Sequence, residues 1–114
     1  MHDLGFIHND LKLENILIGD QYGGSLDQIK LIDFGFVQSI YDLEGHHISD
    51  VERKSFEGNP AFCSYNAVQG KTLSRRDDLI SLVYILLYLC FGSLIFLGHQ
   101  HGDINYEELI LAKI

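Results

Sequence analysis

Residues 7–20 read IHNDLKLENILIGD, and the folding of this stretch decides how the rest of the chain is placed. It joins two unlike parts. A polar loop carries His8, Asp10, Lys12 and Asn15, and ENILIGD at 14–20 then forms a short run rich in Ile and Leu that reads as a strand. A second such run, QIKLIDFG at 28–35, follows QYGGSLD, whose Gly23-Gly24 pair marks a hairpin connection. With the turn centred near Gly24, antiparallel pairing predicts Asn15 opposite Asp33. Two oxygen-bearing side chains far apart in sequence are thereby expected at the open end of one hairpin.

Upstream, MHDLG at 1–5 reads as the tail of a helix stopped by Gly5 in a left-handed cap. Downstream, residues 37–70 are polar and punctuated by glycine, which predicts a long loop with one short helix. A strong helix is predicted over 77–91. Asp77 and Asp78 favour its N-terminus through the helix dipole, and Gly92 stops it. It is apolar nearly all round, which predicts a central core element. A last helix is predicted to start near Asn105 and to be still running at Ile114, so both ends of the chain read as cut.

With 114 residues, 46% apolar and 21% charged, the chain has the composition of one globular domain with a modest core. A net charge of −8 disfavours nucleic acid and anionic membrane surfaces, since both require a basic face. Cys63 and Cys90 form no CxxC pair and no secretory leader is read, so reduced thiols in an intracellular compartment, cytoplasmic or nuclear, are expected. Residues 79–97 carry no charge and have the length of a bilayer span. Gly92-Ser93 interrupts the run, Ser81, Tyr84 and Tyr88 lie within it, and two acids abut its start, so a buried helix is the preferred reading.

The remaining residues that attract notice have plainer readings. His46-His47, His99 and His101 lack partners at ligand spacing and read as surface histidines. Cys63 and Cys90 read as small buried hydrophobes, and Tyr84 and Tyr88 as core or helix-interface residues. Arg75-Arg76 can be read equally as an anion-binding pair or as residues that cap the helix and pair with Asp77 or Asp78.

The loop and hairpin carry the chemistry. Phosphoryl transfer from ATP requires a base for the attacking hydroxyl, a cation against the transferring phosphate, and oxygen ligands for Mg²⁺. Asp10 is the candidate base, Lys12 the cation, Asn15 an amide oxygen ligand and Asp33 the metal carboxylate. The order H-x-D-x-K-x-x-N followed by D-F-G matches the protein-kinase pattern.

FIHNDLKLENILIG, IKLIDFGF and the run from Gly58 to Leu94 together resemble the C-lobe of a eukaryotic protein kinase, and more narrowly the casein kinase 1 family. SRRDD at 74–78, followed by an apolar helix and GSL, is the discriminating part. The resemblance implies an α+β fold of short antiparallel hairpins beside helices, lacking the N-lobe. It also implies Ser/Thr phosphorylation of protein substrates with Mg-ATP. By the same resemblance Asp10 is the catalytic base, Lys12 touches the γ-phosphate, and Asn15 and Asp33 hold the metal. His8 is the structural histidine of the loop, Phe34 and Gly35 complete the magnesium loop, and Asp78 holds the catalytic-loop backbone by accepting its N–H groups.

Departures from the family pattern are Asn9 for an Arg that pairs with a phosphorylated activation loop, Leu13 for Pro, and Asn59 for a Thr that bonds the catalytic Asp and Lys. Ala61 replaces an Arg associated with primed substrates; Val83 replaces Gly, and Ile95-Phe96 replace Pro-Trp. An amide at position 59 is expected to substitute partly for the Thr. These 114 residues contain no Gly-rich phosphate loop and no strand lysine, so by themselves they are expected to lack phosphotransfer activity. The alternative reading is a non-catalytic pseudokinase or interaction module.

Overall fold

A computed structural model describes residues 1–19, 26–50 and 57–94. The turn of the hairpin, the segment predicted as a last helix, and His99 and His101 lie outside the described residues.

The chain opens with a 3₁₀ turn at His2–Leu4 rather than an α-helical tail. Gly5 ends it in the left-handed region, φ 79°, where a side chain would be strained. Strand β1 (Phe6–Ile7) follows and pairs antiparallel with β4 (Gln38–Ser39). After the polar loop and a second 3₁₀ turn at Leu13–Asn15, β2 (Ile16–Ile18) pairs antiparallel with β3 (Ile29–Leu31).

The predicted hairpin therefore forms, with its register shifted by one residue. Ile16 faces Leu31 and Ile18 faces Ile29, and Ile32 N donates to Asn15 O at 3.0 Å. Asn15 thus lies opposite Ile32, not Asp33. The pairing is symmetric about the point midway between positions 23 and 24, and that half-residue displacement moves every partner by one.

Between β4 and the long helix the chain is largely irregular, as its glycine and polar content predicts, with one short helix, α1 (Tyr65–Val68). Ser64 caps α1 by accepting from Ala67 N. The long helix, α2, runs Arg75–Phe91, two residues earlier at its start than predicted. Asp77 Oδ2 accepts from Ser74 N at 2.8 Å and so turns Ser74 into the cap. Gly92 stops the helix with φ 72°.

Two small cores form. Ile7, Ile40, Cys63, Ala67 and Leu73 bury one between β1, β4, α1 and the approach to α2. Phe62, Ile85 and Leu94 bury the other, with Tyr84 and Tyr88 packed against it. The Phe62 and Tyr88 rings meet edge to face at 5.8 Å.

Helix α2 is not enclosed as expected. Its buried residues are Asp77, Asp78, Ser81 and Ile85, whereas Leu79, Val83, Leu86, Leu89 and Phe91 are more than half exposed. The periodicity is apolar on every face, and the described residues cover only the side that meets Phe62 and the loop before β2. Cys90, on an uncovered face, is exposed rather than buried. No helix among the described residues is long and apolar enough to cross a membrane.

This asymmetry makes two truncations behave differently. Ile85→Ala is expected to cost about 2–5 kcal/mol, because it opens a cavity in the second core. Leu89→Ala is expected to stay within about 0.5 kcal/mol of the parent protein. Urea midpoints at unchanged m-value measure both; equal losses would contradict the one-sided burial of α2.

Candidate active site

The site is assembled from the N-terminus of α2 outward. Asp77 and Asp78 both lie in its first turn, and both are buried, at 5% and 4% exposure. Asp77 faces the chain before the helix. It accepts from Ser64 Oγ at 2.6 Å and from Asn66 Nδ2 at 3.2 Å, and Arg76 Nε stands 3.4 Å from it. Asp78 faces the polar loop. His8 N donates to its Oδ2 at 2.8 Å and Asn9 N to its Oδ1 at 2.9 Å. A desolvated carboxylate is costly unless donors surround it, and here the donors are the loop's own backbone amides.

Holding two successive amides against one carboxylate bends the loop sharply. Asn9 takes φ 67°, a left-handed conformation that Asn tolerates better than most residues. Its Nδ2 is buried without a hydrogen-bond partner. Gly58 makes the bend possible from the other side: a Cβ on it would stand 2.6 Å from Asn9 O, at φ 105°. Only glycine avoids both the clash and the strain.

His8 is fully buried and joins the loop to the second half of the hairpin. Its Nε2 lies 3.1 Å from Ile32 O, and Asp10 N donates to its Nδ1 at 3.4 Å. Both contacts are satisfied by one tautomer, with the proton on Nε2. The His8 ring also lies 5.4 Å from that of Phe34.

Asp10 follows the bend and is 3% exposed. Lys12 Nζ pairs with its Oδ2 at 2.9 Å. Asn15 Nδ2 donates to Asp10 O at 2.9 Å and to Oδ2 at 3.2 Å. The hydrogen bond to Asp10, reinforced by the charges of Asp10, Glu14 and Asp33 and opposed by desolvation, holds the Lys12 ammonium above its ordinary 10.5. Asn15 commits its amide nitrogen to Asp10, so its oxygen is the atom with which it can take a cation.

Asp33 stands apart from this cluster. It is exposed and adopts φ 60°, and its Oδ1 accepts from Gly35 N at 3.3 Å. It meets the cluster through the electrostatic effect on Lys12 and through the preceding residue, whose carbonyl faces His8 and whose N–H faces Asn15 O. Asp10, Lys12 and Asn15 are thus in mutual contact, with Asp33 beside them on the solvent side. Carboxylate and amide oxygens are the donor chemistry that hard divalent cations take.

Asn59 does not take the place envisaged for it. Its Oδ1 accepts from Ala61 N at 2.8 Å and Phe62 N at 3.2 Å, which closes the turn before α1 and leaves it off Asp10 and Lys12. Arg76 pairs with Asp77, and Arg75 instead donates from Nε to His2 O at 3.1 Å. His46 is exposed as expected but has neighbours: one ligand atom each from Asp42, Glu44 and His46 lie within 4.8 Å of one another on an exposed turn.

Two residues of the assembly carry little signal in the sequence: His2, which bonds Asp78, and Gly58. The signal for Gly58 was its place in GNP ahead of a cap residue. For His2 there was none beyond its position before the Gly5 turn.

Lys12 has a pH consequence. A folded-state value above 10.5 means that its contribution to stability is complete below 10.5 and is lost as the pH rises through the folded value. The urea midpoint is expected to fall with pH in that alkaline range, and Lys12→Met to flatten that part of the profile. An identical profile in the variant would contradict the assignment.

A family model described as protein kinase domain matches residues 1–113 of the chain.

Proposed function

The chain belongs to the protein kinase domain family, and from that premise we propose that it is the C-lobe part of a casein kinase 1-like protein kinase acting on Ser and Thr hydroxyls of intracellular protein substrates. The observation that carries the reading is the contact of Asp10, Lys12 and Asn15 on a loop held by Asp78.

Each residue has a role in this reading. Asp10 accepts the proton of the substrate hydroxyl, and the Asn15 amide and Lys12 ammonium fix its carboxylate. Lys12 places its positive charge beside the phosphoryl group in transfer. Asn15 Oδ1 and the Asp33 carboxylate would hold Mg²⁺, an all-oxygen pair suited to that ion. An ion held by those two residues would supply positive charge against the phosphate oxygens of ATP. His8 and Phe34 keep the Asp33 segment against the loop through the Ile32 carbonyl and the ring contact.

The Gly-rich loop and strand lysine that cover ATP phosphates are not among the 114 residues, so the fragment alone is expected to show no turnover. The test joins the chain to a protein-kinase N-lobe and supplies Mg-ATP with Ser-, Thr- and Tyr-containing peptides. Transfer to Ser and Thr is expected, and Asp10→Asn should lower it by roughly 10²–10⁴-fold. Transfer that Asp10→Asn leaves unchanged would overturn the assignment of the base. No transfer at all, with folding intact, would favour the pseudokinase reading. Turnover by the unfused chain that disappears in Asp33→Ala would overturn the fragment reading.

A further inference from the structure

Four leucines of α2 form a seam that the described residues leave open. Leu79, Leu82, Leu86 and Leu89 follow one another at intervals of three, four and three residues, the spacing of the a and d positions of a heptad repeat. All four line one groove of about 600 Å³ between α2 and the β2–β3 hairpin, and Ile18 and Ile29 line its other side. The leucines are 39–62% exposed and both isoleucines 70%. The polar groups of the groove lie together at its Leu79 end, where Asp78 accepts from His2 and from His8 N.

We propose that this groove is the interface of a reversible homodimer, in which the leucine seam of one copy packs against that of a second. An a/d seam is buried by another helix that repeats at the same interval, and α2 presents that repeat itself. The surface that needs a partner and the surface that fits it are therefore the same, which is the condition for a closed twofold contact. No charged residue occurs from Leu79 to Phe91, so pairing two copies desolvates no ion along the seam. The net charge of −8 on each chain acts only as a longer-range repulsion that salt screens.

The area agrees with a reversible contact. A fully exposed aliphatic side chain offers roughly 100 Å², so the partly exposed residues of the groove supply on the order of 400 Å² of apolar surface from each copy. A standard interface takes about 800 Å² per partner, about 65% of it apolar between identical chains. The groove supplies most of that, but far less than an obligate interface of roughly 2,000–5,000 Å² in total, so the dimer is expected to dissociate on dilution. None of Asp10, Lys12, Asn15 and Asp33 lines the groove, and the contact is independent of the kinase reading.

Sedimentation equilibrium of the 114-residue chain over about 1–300 µM tests the dimer. The mass is expected to rise with concentration from 13.0 kDa toward twice that value and to stop there. Leu86→Glu sets a charge in the seam and is expected to raise the dissociation constant tenfold or more. Leu87→Glu adds the same charge to a residue that does not line the groove, and is expected to leave the constant within threefold. Leu89→Ala, neutral in dilute solution where the monomer dominates, should lower the urea midpoint once the parent is dimeric. A parent that stays at 13.0 kDa, one that grows past a dimer, or Glu variants that respond equally overturn the proposal, and the parent's mass decides even where a variant fails to fold. A monomer that instead binds phosphatidylcholine vesicles, and loses them in Leu86→Glu, gives the face to a lipid surface and likewise overturns it.

Discussion

A carboxylate in the first turn of a helix is favoured by the helix dipole, but the dipole is worth only about 0.3–1 kcal/mol at an exposed position. Asp78 is buried, and burial of an unpaired charge costs far more than the dipole returns. What makes its position tenable is the set of donors around it, since hydrogen bonds to charged groups are worth about 1.5–3 kcal/mol each. Those donors are the amides of His8 and Asn9, many residues away in sequence. The requirement to satisfy one side chain on α2 thus dictates the path of a loop distant from it in sequence. The left-handed turn at Asn9, the missing side chain at Gly58 and the burial of Asp10 all follow from that path.

The site that results is electrostatically divided. Asp10 is desolvated, paired with Lys12 and fixed by Asn15, so its geometry is set by the protein. Asp33 is exposed, with one weak local bond to Gly35 N, and keeps most of its carboxylate available. The two acids are separated in role by environment. One is locked in place by its partners, and the other is open to solvent. Asp33 holds a left-handed backbone without being glycine, a conformation that costs of order 1–3 kcal/mol and persists where surroundings enforce it. The His8 contact to the preceding carbonyl and the Phe34–His8 ring contact are those surroundings.

Much of this was legible in the chain. The loop residues, the hairpin and the end of α2 at Gly92 follow from local chemistry that operates over a few residues. The register was missed by one because it depends on the exact symmetry of the turn, which a Gly-Gly pair leaves open. The exposure of α2 was missed because an all-round apolar pattern says that a helix is suited to burial, not how many of its faces the rest of these residues cover. Asn59 was misplaced because an amide next to a turn finds nearby backbone donors before distant side chains. His2 and Gly58 are hard to read from sequence because their roles exist only after the loop has been folded against α2.

The same geometry settles what Asn9 does to the loop. Its side chain stands where the resemblance places an arginine, and it looks at first like damage to the site. The interaction that shapes the loop at this position, however, is made by the backbone N–H to Asp78 Oδ1, which any residue other than proline supplies. The side chain contributes tolerance of φ 67° and one buried nitrogen without a partner. An unsatisfied buried donor costs about 1–3 kcal/mol, so Asn9 is a local burden on stability. It does not break the chain of contacts from Asp78 through the loop amides to Asp10, because none of those contacts uses its side chain.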